Sequence, residues 1–232
     1  MSLEITNLTA GYEGTPILRD IECHVEGGEI VGVMGKNGVG KTTLLKTIIG
    51  LLEPQSGSVQ YRGEELTERS ADECAKLGIG YVPQGRDVFP GLTVEQNLLV
   101  GENVGSGSET LYDRVYEYFP ILEERADQDA DTMSGGQQQM LAIGRALVGD
   151  PDLLLVDEPS EGVQPSIVQS ITADLRRINE DLDTTILFVE QNLSVVQGLA
   201  DRCYAMDRGQ IVDEIDGDDL QDREMLESHL VV

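Results

Sequence analysis

Basic residues are scarce in this sequence, and long apolar runs are missing. Lysine and arginine together number 16 against 43 aspartates and glutamates, which gives a formal net charge of −27. A surface of this sign repels nucleic acid backbones, so we expect no nucleic acid partner. No window approaches the roughly 20 apolar residues that a membrane-spanning helix needs, and the first residues lack the layout of a secretory signal. We therefore expect a cytoplasmic protein that reaches the inner face of the cell membrane only through partner chains.

Cysteine is also rare. The three cysteines are scattered and lack the spacing of metal ligands: Cys23, Cys74 and Cys203. This usage is typical of buried small residues in a reducing compartment.

The acidic residues are spread along the whole chain rather than gathered in a tail. High like charge keeps a protein soluble but destabilises it by self-repulsion, which concentrated salt screens. One hypothesis is therefore a cytoplasm with molar salt, as in extremely halophilic microbes. The alternative is a solvated acidic surface with no meaning beyond solubility.

The hydrophobic pattern changes along the chain from alternating to continuous apolar runs. Alternation over residues 3–8 and 21–25, with a return at 59–61, predicts an antiparallel sheet that is open to water on one face. Continuous apolar strands and helices then alternate, which predicts a parallel α/β sheet. The predicted segments are strands 29–34, 78–82, 153–156, 184–189, 203–206 and 211–215, and helices 41–49, 165–178, 193–199 and a short acidic one from Asp218.

Residues 90–149 have a helical pattern, with loops around 105–107 and 127–132, and they interrupt the parallel sheet. We predict one domain over 1–232. Its core, with the antiparallel subdomain, would span about 1–89 and 150–232, and an inserted helical subdomain about 90–149.

A glycine-rich segment after the strand 29–34 matches the pattern GxxxxGK(S/T) and opens a predicted helix, the context that supports a phosphate-binding loop. Its residues, with the threonine that follows, are Gly35, Lys36, Asn37, Gly38, Val39, Gly40, Lys41, Thr42 and Thr43. Glycines let backbone N–H groups point inward, and the helix N-terminus adds positive partial charge. We expect Lys41 to reach the β- and γ-phosphates and Thr42 to bind Mg²⁺. The alternative is a glycine-rich turn that binds nothing.

Two acids follow the apolar strand 153–156. If that strand lies beside the strand 29–34, Asp157 comes close to the Mg²⁺ of a bound nucleotide. Glu158 is then placed to act as the general base that polarises the attacking water.

About 20 residues before this acidic pair, residues 133–137 read Met-Ser-Gly-Gly-Gln, which resembles the signature sequence of ABC-type ATPases. The resemblance covers residues 3 to about 212. It implies a P-loop NTPase fold, ATP and Mg²⁺ as cofactors, and a dimer that sandwiches two nucleotides. In such a dimer the γ-phosphate bound by one subunit contacts the signature of the other, here Ser134, Gly135 and Gly136 with Gln137.

The same resemblance assigns roles to further residues. Tyr12 is similar to the aromatic residue that stacks on adenine, although a tyrosine in that position is more often simple packing. Gln84 resembles the glutamine that contacts Mg²⁺. Residues 85–97 would line a groove for a cytoplasmic helix of a membrane partner, the alternative being an ordinary loop.

Two departures from the family pattern narrow the resemblance to one branch of the family. Gln191 stands where most members have a histidine that senses the γ-phosphate; glutamine hydrogen-bonds but carries no charge. Residues 160–165 replace the usual Ser-Ala-Leu-Asp segment. Both features resemble the ATPases of branched-chain amino acid and amide importers, and the urea-type member most closely. That branch implies a heterodimer of ATPases, two transmembrane permease subunits and a separate substrate-binding protein.

The sequence therefore predicts an import ATPase. Two alternatives remain open: a soluble ABC-type ATPase that is not linked to transport, and a nucleotide-gated dimerisation module with weak hydrolysis.

Overall fold

A computed structural model describes residues 3–102 and 112–231, and the predicted loop at 105–107 lies outside them. The strands are β1 Leu3–Tyr12, β2 Thr15–Val25, β3 Ile30–Met34, β4 Ser56–Tyr61, β5 Glu64–Glu65, β6 Ile79–Val82, β7 Leu153–Asp157, β8 Thr185–Glu190, β9 Arg202–Asp207 and β10 Gln210–Ile215. The α-helices are α1 Lys41–Ile48, α2 Ala71–Lys76, α3 Val94–Glu102, α4 Tyr112–Tyr118, α5 Pro120–Glu124, α6 Gly135–Leu147, α7 Pro165–Leu182, α8 Leu193–Leu199 and α9 Arg223–Val231.

The strands form two sheets. An antiparallel sheet has the order β2-β1-β4-β5, which confirms the prediction made from the alternating segments. The second sheet has the order β10-β9-β3-β8-β7-β6, with parallel pairing from β9 to β6 and an antiparallel β10 at its edge.

One predicted neighbour relation is wrong. The strand that carries Asp157, β7, does not lie beside β3, because β8 pairs with both of them and separates them. Helix α1 contacts both β7 and β8, so it crosses β8 and brings the residue that follows Lys41 over to the end of β7. The expected approach of the two motifs is therefore made by a helix rather than by neighbouring strands.

Two apolar cores lie on opposite faces of the six-stranded sheet. Because successive side chains of a strand point to opposite faces, Val31 and Val33 join the core shared with α1 and the antiparallel sheet. Ile30 and Met34 join the core shared with helices α3 to α8. Strands β7 and β8 are fully buried, as expected of a parallel sheet that is covered on both faces.

The helices largely follow the predicted segments. Helix α7 continues four residues beyond the predicted end at 178, to Leu182. The expected acidic helix from Asp218 is a short 3₁₀ turn over Asp219–Gln221 followed by α9. Helix α2 was not predicted, because it is short and only Cys74 of its residues is buried, so it has no apolar period. Within 3–102 and 112–231, no helix is both long enough and apolar enough to cross a membrane.

Candidate nucleotide site

The glycine-rich loop connects β3 to α1, so a buried strand fixes its first residue and a helix fixes its last. Gly38 has a φ of 81° and Gly40 a φ of 118°, values that residues with a Cβ rarely adopt. Gly40 is the N-cap of α1 and has no side chain to cap the helix. The first turn of α1 therefore depends on another acceptor, and an anion suits this position.

Lys41 lies buried at the base of this loop. Its ammonium donates hydrogen bonds to the carbonyls of Gly35 at 2.9 Å and Lys36 at 3.0 Å. It also forms an ion pair with the Glu158 carboxylate at 3.0 Å. Lys41 and Glu158 are 3% and 6% exposed, so their charges are screened far less than those of a surface pair.

Asp157, at the end of β7, meets the loop through Thr42. The Thr42 hydroxyl donates to Asp157 Oδ1 at 3.0 Å, and the Tyr81 hydroxyl donates to Oδ2 at 3.4 Å. Burial raises the pKa of the Asp157 carboxyl to about 6, although the hydrogen bond from Thr42 opposes the shift, and the nearby Glu158 carboxylate adds to it. Because ionising a buried carboxyl group is costly, a bound cation would strongly stabilise its ionised form.

Thr42 and Asp157 suit Mg²⁺, which prefers hard oxygen ligands and takes one or two protein groups together with phosphate oxygens. Over the described ranges, no cluster of three or more His, Cys, Asp or Glu side chains could hold a metal by itself. The donor set therefore fits a metal that arrives with a nucleotide.

Glu158 leaves β7 with a positive φ of 46°, while its N–H still bonds to the Val189 carbonyl at 3.0 Å. Gln84 Nε2 lies 3.5 Å from its second carboxylate oxygen. The structure thus brings Lys41, Gln84 and Glu158 together. Gln84 contacts this acid rather than the pair Thr42 and Asp157, so its predicted metal contact stays a prediction.

A cavity of ≈ 430 Å³ joins most of these residues. Tyr12 borders it with a side chain that is 46% exposed, as a stacking surface must be. Ile17 also lines the cavity and was not predicted, because an apolar residue near the start of a strand gives no signal of a site. The lining residues are Tyr12, Ile17, Asn37, Gly38, Gly40, Lys41, Thr42, Thr43, Gln84 and Glu158.

The remaining loop residues have supporting positions. Gly35 and Lys36 supply the carbonyls that hold Lys41. Val39 packs into the core against α1 and the antiparallel sheet.

The segment 134–137 lies outside this cavity, at the start of α6. Ser134 is the N-cap, and its hydroxyl accepts a hydrogen bond from the Gln137 N–H at 3.4 Å, while Gln137 Oε1 accepts from the Ser134 N–H at 3.0 Å. This reciprocal pair is a capping box. Ser134 is exposed and Gly136 is buried against Ile167, so the helix N-terminus is rigid and faces solvent.

The last residue of β8, Glu190, is a functional candidate that was not predicted. The Glu190 carboxylate accepts hydrogen bonds from the N–H groups of Gln191 and Asn192 at 2.8 Å and of Ser160 at 3.0 Å. Its own carbonyl accepts from the Gly35 N–H at 3.3 Å. A buried acid at the end of an apolar strand is the signal that could have revealed it. Gln191 is exposed and does not line the cavity.

A model of the family described as ABC transporter matches residues 18–161. The chain belongs to this family. It has the ABC ATPase fold, binds ATP and is an ATPase, which confirms the fold and the enzyme class expected from the sequence.

Two curated relatives of this ABC ATPase match over almost their whole length. The "high-affinity branched-chain amino acid transport ATP-binding protein BraG" of Pseudomonas aeruginosa is 43% identical over 90% of this chain and 91% of its own. The "probable branched-chain amino acid transport ATP-binding protein LivF" of Archaeoglobus fulgidus is 36% identical over 97% and 96%.

Solved structures of ABC cassettes superpose well on this ABC ATPase. The ATP-binding cassette MJ0796, a dimer in a post-hydrolysis state bound to ADP and Pi, is 26% identical with a TM-score of 0.82, over 93% of this chain and 98% of that one. The ADP conformation of the cassette MJ1267 is 25% identical with a TM-score of 0.83, over 98% and 97%.

Proposed function

We propose that this ABC ATPase is the motor subunit of an importer, in which ATP-driven dimerisation powers the uptake of branched-chain amino acids. The observation that carries the proposal is the arrangement beside the anion-binding loop: Lys41, Thr42 and Glu158 line one cavity, and Asp157 accepts a hydrogen bond from Thr42. The names of the two relatives favour branched-chain amino acids among the cargoes that the sequence resemblance implies, which also include urea and short amides.

Each residue of the site has its own role in ATP binding or hydrolysis. The loop amides and Lys41 bind the phosphates, and Tyr12 stacks on the base. Thr42 and Asp157, with Gln84 nearby, would hold Mg²⁺, which neutralises developing charge on the phosphates when bound. Glu158 accepts a proton from the attacking water, and its position between Lys41 and Gln84 orients its carboxylate toward the cavity.

A second subunit completes the site in this proposal. Ser134 and Gly135 are displayed at the N-terminus of a thirteen-residue helix, which offers unsatisfied N–H groups and positive partial charge to a phosphate. The partner is a second, non-identical ABC ATPase, and its own histidine compensates for Gln191.

Attachment to the membrane is through two permease subunits, with a separate binding protein delivering the cargo. Their docking surface includes residues 85–97, of which Phe89 lines a cavity of ≈ 290 Å³ whose other walls are mainly apolar. Phe89 and Leu51 border this cavity and are 43% and 56% exposed. Exposed apolar side chains around a concave surface are typical of a partner contact.

We also infer that the protein works in concentrated salt, inside an extremely halophilic microbe. The net charge of −27 supports this, because an unscreened excess of this size opposes a compact fold.

The test combines uptake with turnover. Cells that lack the gene are complemented with the wild-type chain or with Glu158→Gln, and the uptake of labelled leucine and of labelled urea is measured. We expect leucine uptake with the wild type only. The Glu158→Gln protein should lose at least about 100-fold in turnover and still bind ATP.

Unchanged turnover of Glu158→Gln would remove this residue as the general base. Restored uptake of urea but not of leucine would replace the proposed cargo. No transport phenotype with full ATPase activity would favour a soluble ATPase.

The exposed position of Gln191 favours one further candidate, a nucleotide-gated dimerisation module with weak hydrolysis. ATPase assays with and without the companion subunit decide between them. Turnover that stays negligible with the companion present would support the module.

A further inference from the structure

Arg86 lies in a strained turn directly after Gln84. Gly85, Arg86 and Asp87 have φ values of 81°, 74° and 44°, so three consecutive residues are left-handed and two of them carry a Cβ. Such backbone is sparsely populated and persists only where other interactions hold it. The turn directs the Arg86 side chain toward the loop that follows Glu158.

The guanidinium holds the loop that follows Glu158. Arg86 Nη2 donates to the carbonyls of Glu161 at 3.1 Å and Gly162 at 2.9 Å. The Glu161 N–H bonds back to the Glu158 carbonyl at 3.0 Å. One arginine therefore fixes the backbone turn whose first residue is the proposed general base.

The same guanidinium packs against the start of α6. A Cβ added at Gly135 would lie 2.9 Å from Arg86 Nη1, and one added at Gly162 would lie 2.8 Å from Nη2. Both distances are shorter than real Cβ contacts, so both glycines leave the space that the guanidinium fills. Arg86 thus lies between the segment 134–137 and the loop after Glu158.

This position is unfavourable for stability alone. A cation beside a helix N-terminus opposes the helix dipole, and the Arg86 Nε is buried without a hydrogen-bond partner in the part of the chain that the structure describes. Groups that are retained at such a cost often serve a function rather than the fold.

We propose that Arg86 is a positioning residue for ATP hydrolysis, which fixes the loop after Glu158 to the start of α6. Gln84 touches the Glu158 side chain, and Arg86, two residues later, holds its backbone turn. The turn 84–86 therefore sets both the direction of the carboxylate and its place relative to Ser134. The proposal concerns hydrolysis by this chain and does not depend on the cargo.

The experiment measures ATP hydrolysis by the full-length chain, alone and in its transporter complex, for Arg86→Gln, Arg86→Gly and Arg86→Lys. We expect Arg86→Gln and Arg86→Gly each to lower kcat by about 10- to 100-fold, with the Kd for ATP within about twofold of the wild type. Arg86→Lys should be intermediate, because an ammonium cannot reproduce the planar donor fork.

Arg62→Gln is the matched control. Arg62 also has a positive φ, 51°, and donates to Asp152 at 2.6 Å, but Asp152 precedes β7, at the opposite end of that strand from Glu158. A kcat for Arg86→Gln within twofold of this control would overturn the proposal. A wild-type kcat in Arg86→Gly would also overturn it, because hydrolysis would then not need the guanidinium. Any loss in Arg86→Gln would in that case come from the strained backbone.

A double-mutant cycle tests the contact itself. Gly162→Ala should lower kcat in the wild-type background, where its methyl group displaces the guanidinium, and should have little further effect in Arg86→Gly. The positive φ of Gly162 is common to both backgrounds and cancels. Additive losses would contradict a shared role, and an equal fall in kcat and ATP affinity would indicate general damage to the nucleotide site.

Discussion

Asp157 shows how a single buried carboxylate can be prepared for a metal. It is fully buried, and among the described residues the Thr42 and Tyr81 hydroxyls are the side-chain groups that donate to it. The burial that raises its pKa to about 6 also makes its ionised form depend on a cation. The burial of Asp157 thus destabilises the nucleotide-free fold and at the same time suits the residue to a metal that arrives with a nucleotide.

The raised pKa predicts how Asp157 affects stability. The folded state holds the proton more tightly, so the free energy of unfolding falls as pH rises from about 4 to about 6. Without nucleotide, Asp157→Asn should stabilise the protein by about 1–3 kcal/mol at pH 7.5 and by much less at pH 5. Urea unfolding at both pH values measures this, with the exposed Asp131→Asn as control. Equal effects at the two pH values would contradict the assignment.

At this scale the sequence was informative where a residue type is tied to a motif. Lys41, Thr42, Asp157 and Glu158 were predicted from spacing, and in the structure Lys41 pairs with Glu158 and Thr42 with Asp157. Ile17 and Arg86 were not, because their positions depend on which strands and turns come together, and no local pattern encodes that.

Helix α3 is joined to the loop before it by one buried side chain. Asn97 is fully buried; its Oδ1 accepts from the Phe89 N–H at 2.9 Å, and its Nδ2 donates to the carbonyls of Phe89, Leu92 and Thr93 at 2.9–3.3 Å. This one amide therefore shapes the loop that borders the groove proposed for a permease.

We predict that Asn97→Ala lowers the free energy of unfolding by about 2–4 kcal/mol, because it removes the four hydrogen bonds of a buried amide and leaves the Phe89 N–H without its acceptor. Gln96→Ala is the matched control: it removes the exposed bond from the Thr93 N–H to the Gln96 side chain, worth about 1 kcal/mol, and keeps the bond from its own N–H to the Thr93 hydroxyl. Chemical denaturation measures both. Equal losses would show that the loop is held by its other contacts.

Elements with a strong hydrophobic period were predictable, and those without one were not. Strands β7 and β8 are continuous apolar runs and were placed to within a residue or two. Their order in the sheet was not, since β8 separates β7 from β3 and strand order depends on long-range packing. The polar helix α2 gives no such period, and only its Ser70 capping box indicates it.

The whole molecule carries a charge that its ion pairs do not neutralise. Within residues 3–102 and 112–231, several ion pairs have both partners exposed, and such pairs contribute little. Self-repulsion of the remaining acids therefore acts on the fold as a whole, and salt should relieve it.

We predict that the melting temperature rises by on the order of 10 °C between 0.1 M and 3 M KCl. Scanning calorimetry over a KCl series measures it. A neutral osmolyte at equal osmolarity is the control, because it favours burial without screening charge. Equal melting temperatures at low and molar salt would refute the halophile hypothesis.

The central place of β8 has a mechanical consequence. Its last residue, Glu190, holds the phosphate loop through the Gly35 N–H and the loop after Glu158 through the Ser160 N–H. The loop that binds the phosphates and the loop after the proposed general base are thus both hydrogen-bonded to the end of one strand near the middle of a six-stranded sheet. A displacement of either loop should be transmitted to the other through Glu190. Release of the cleaved phosphate and relaxation of the loop after Glu158 should therefore occur as one movement.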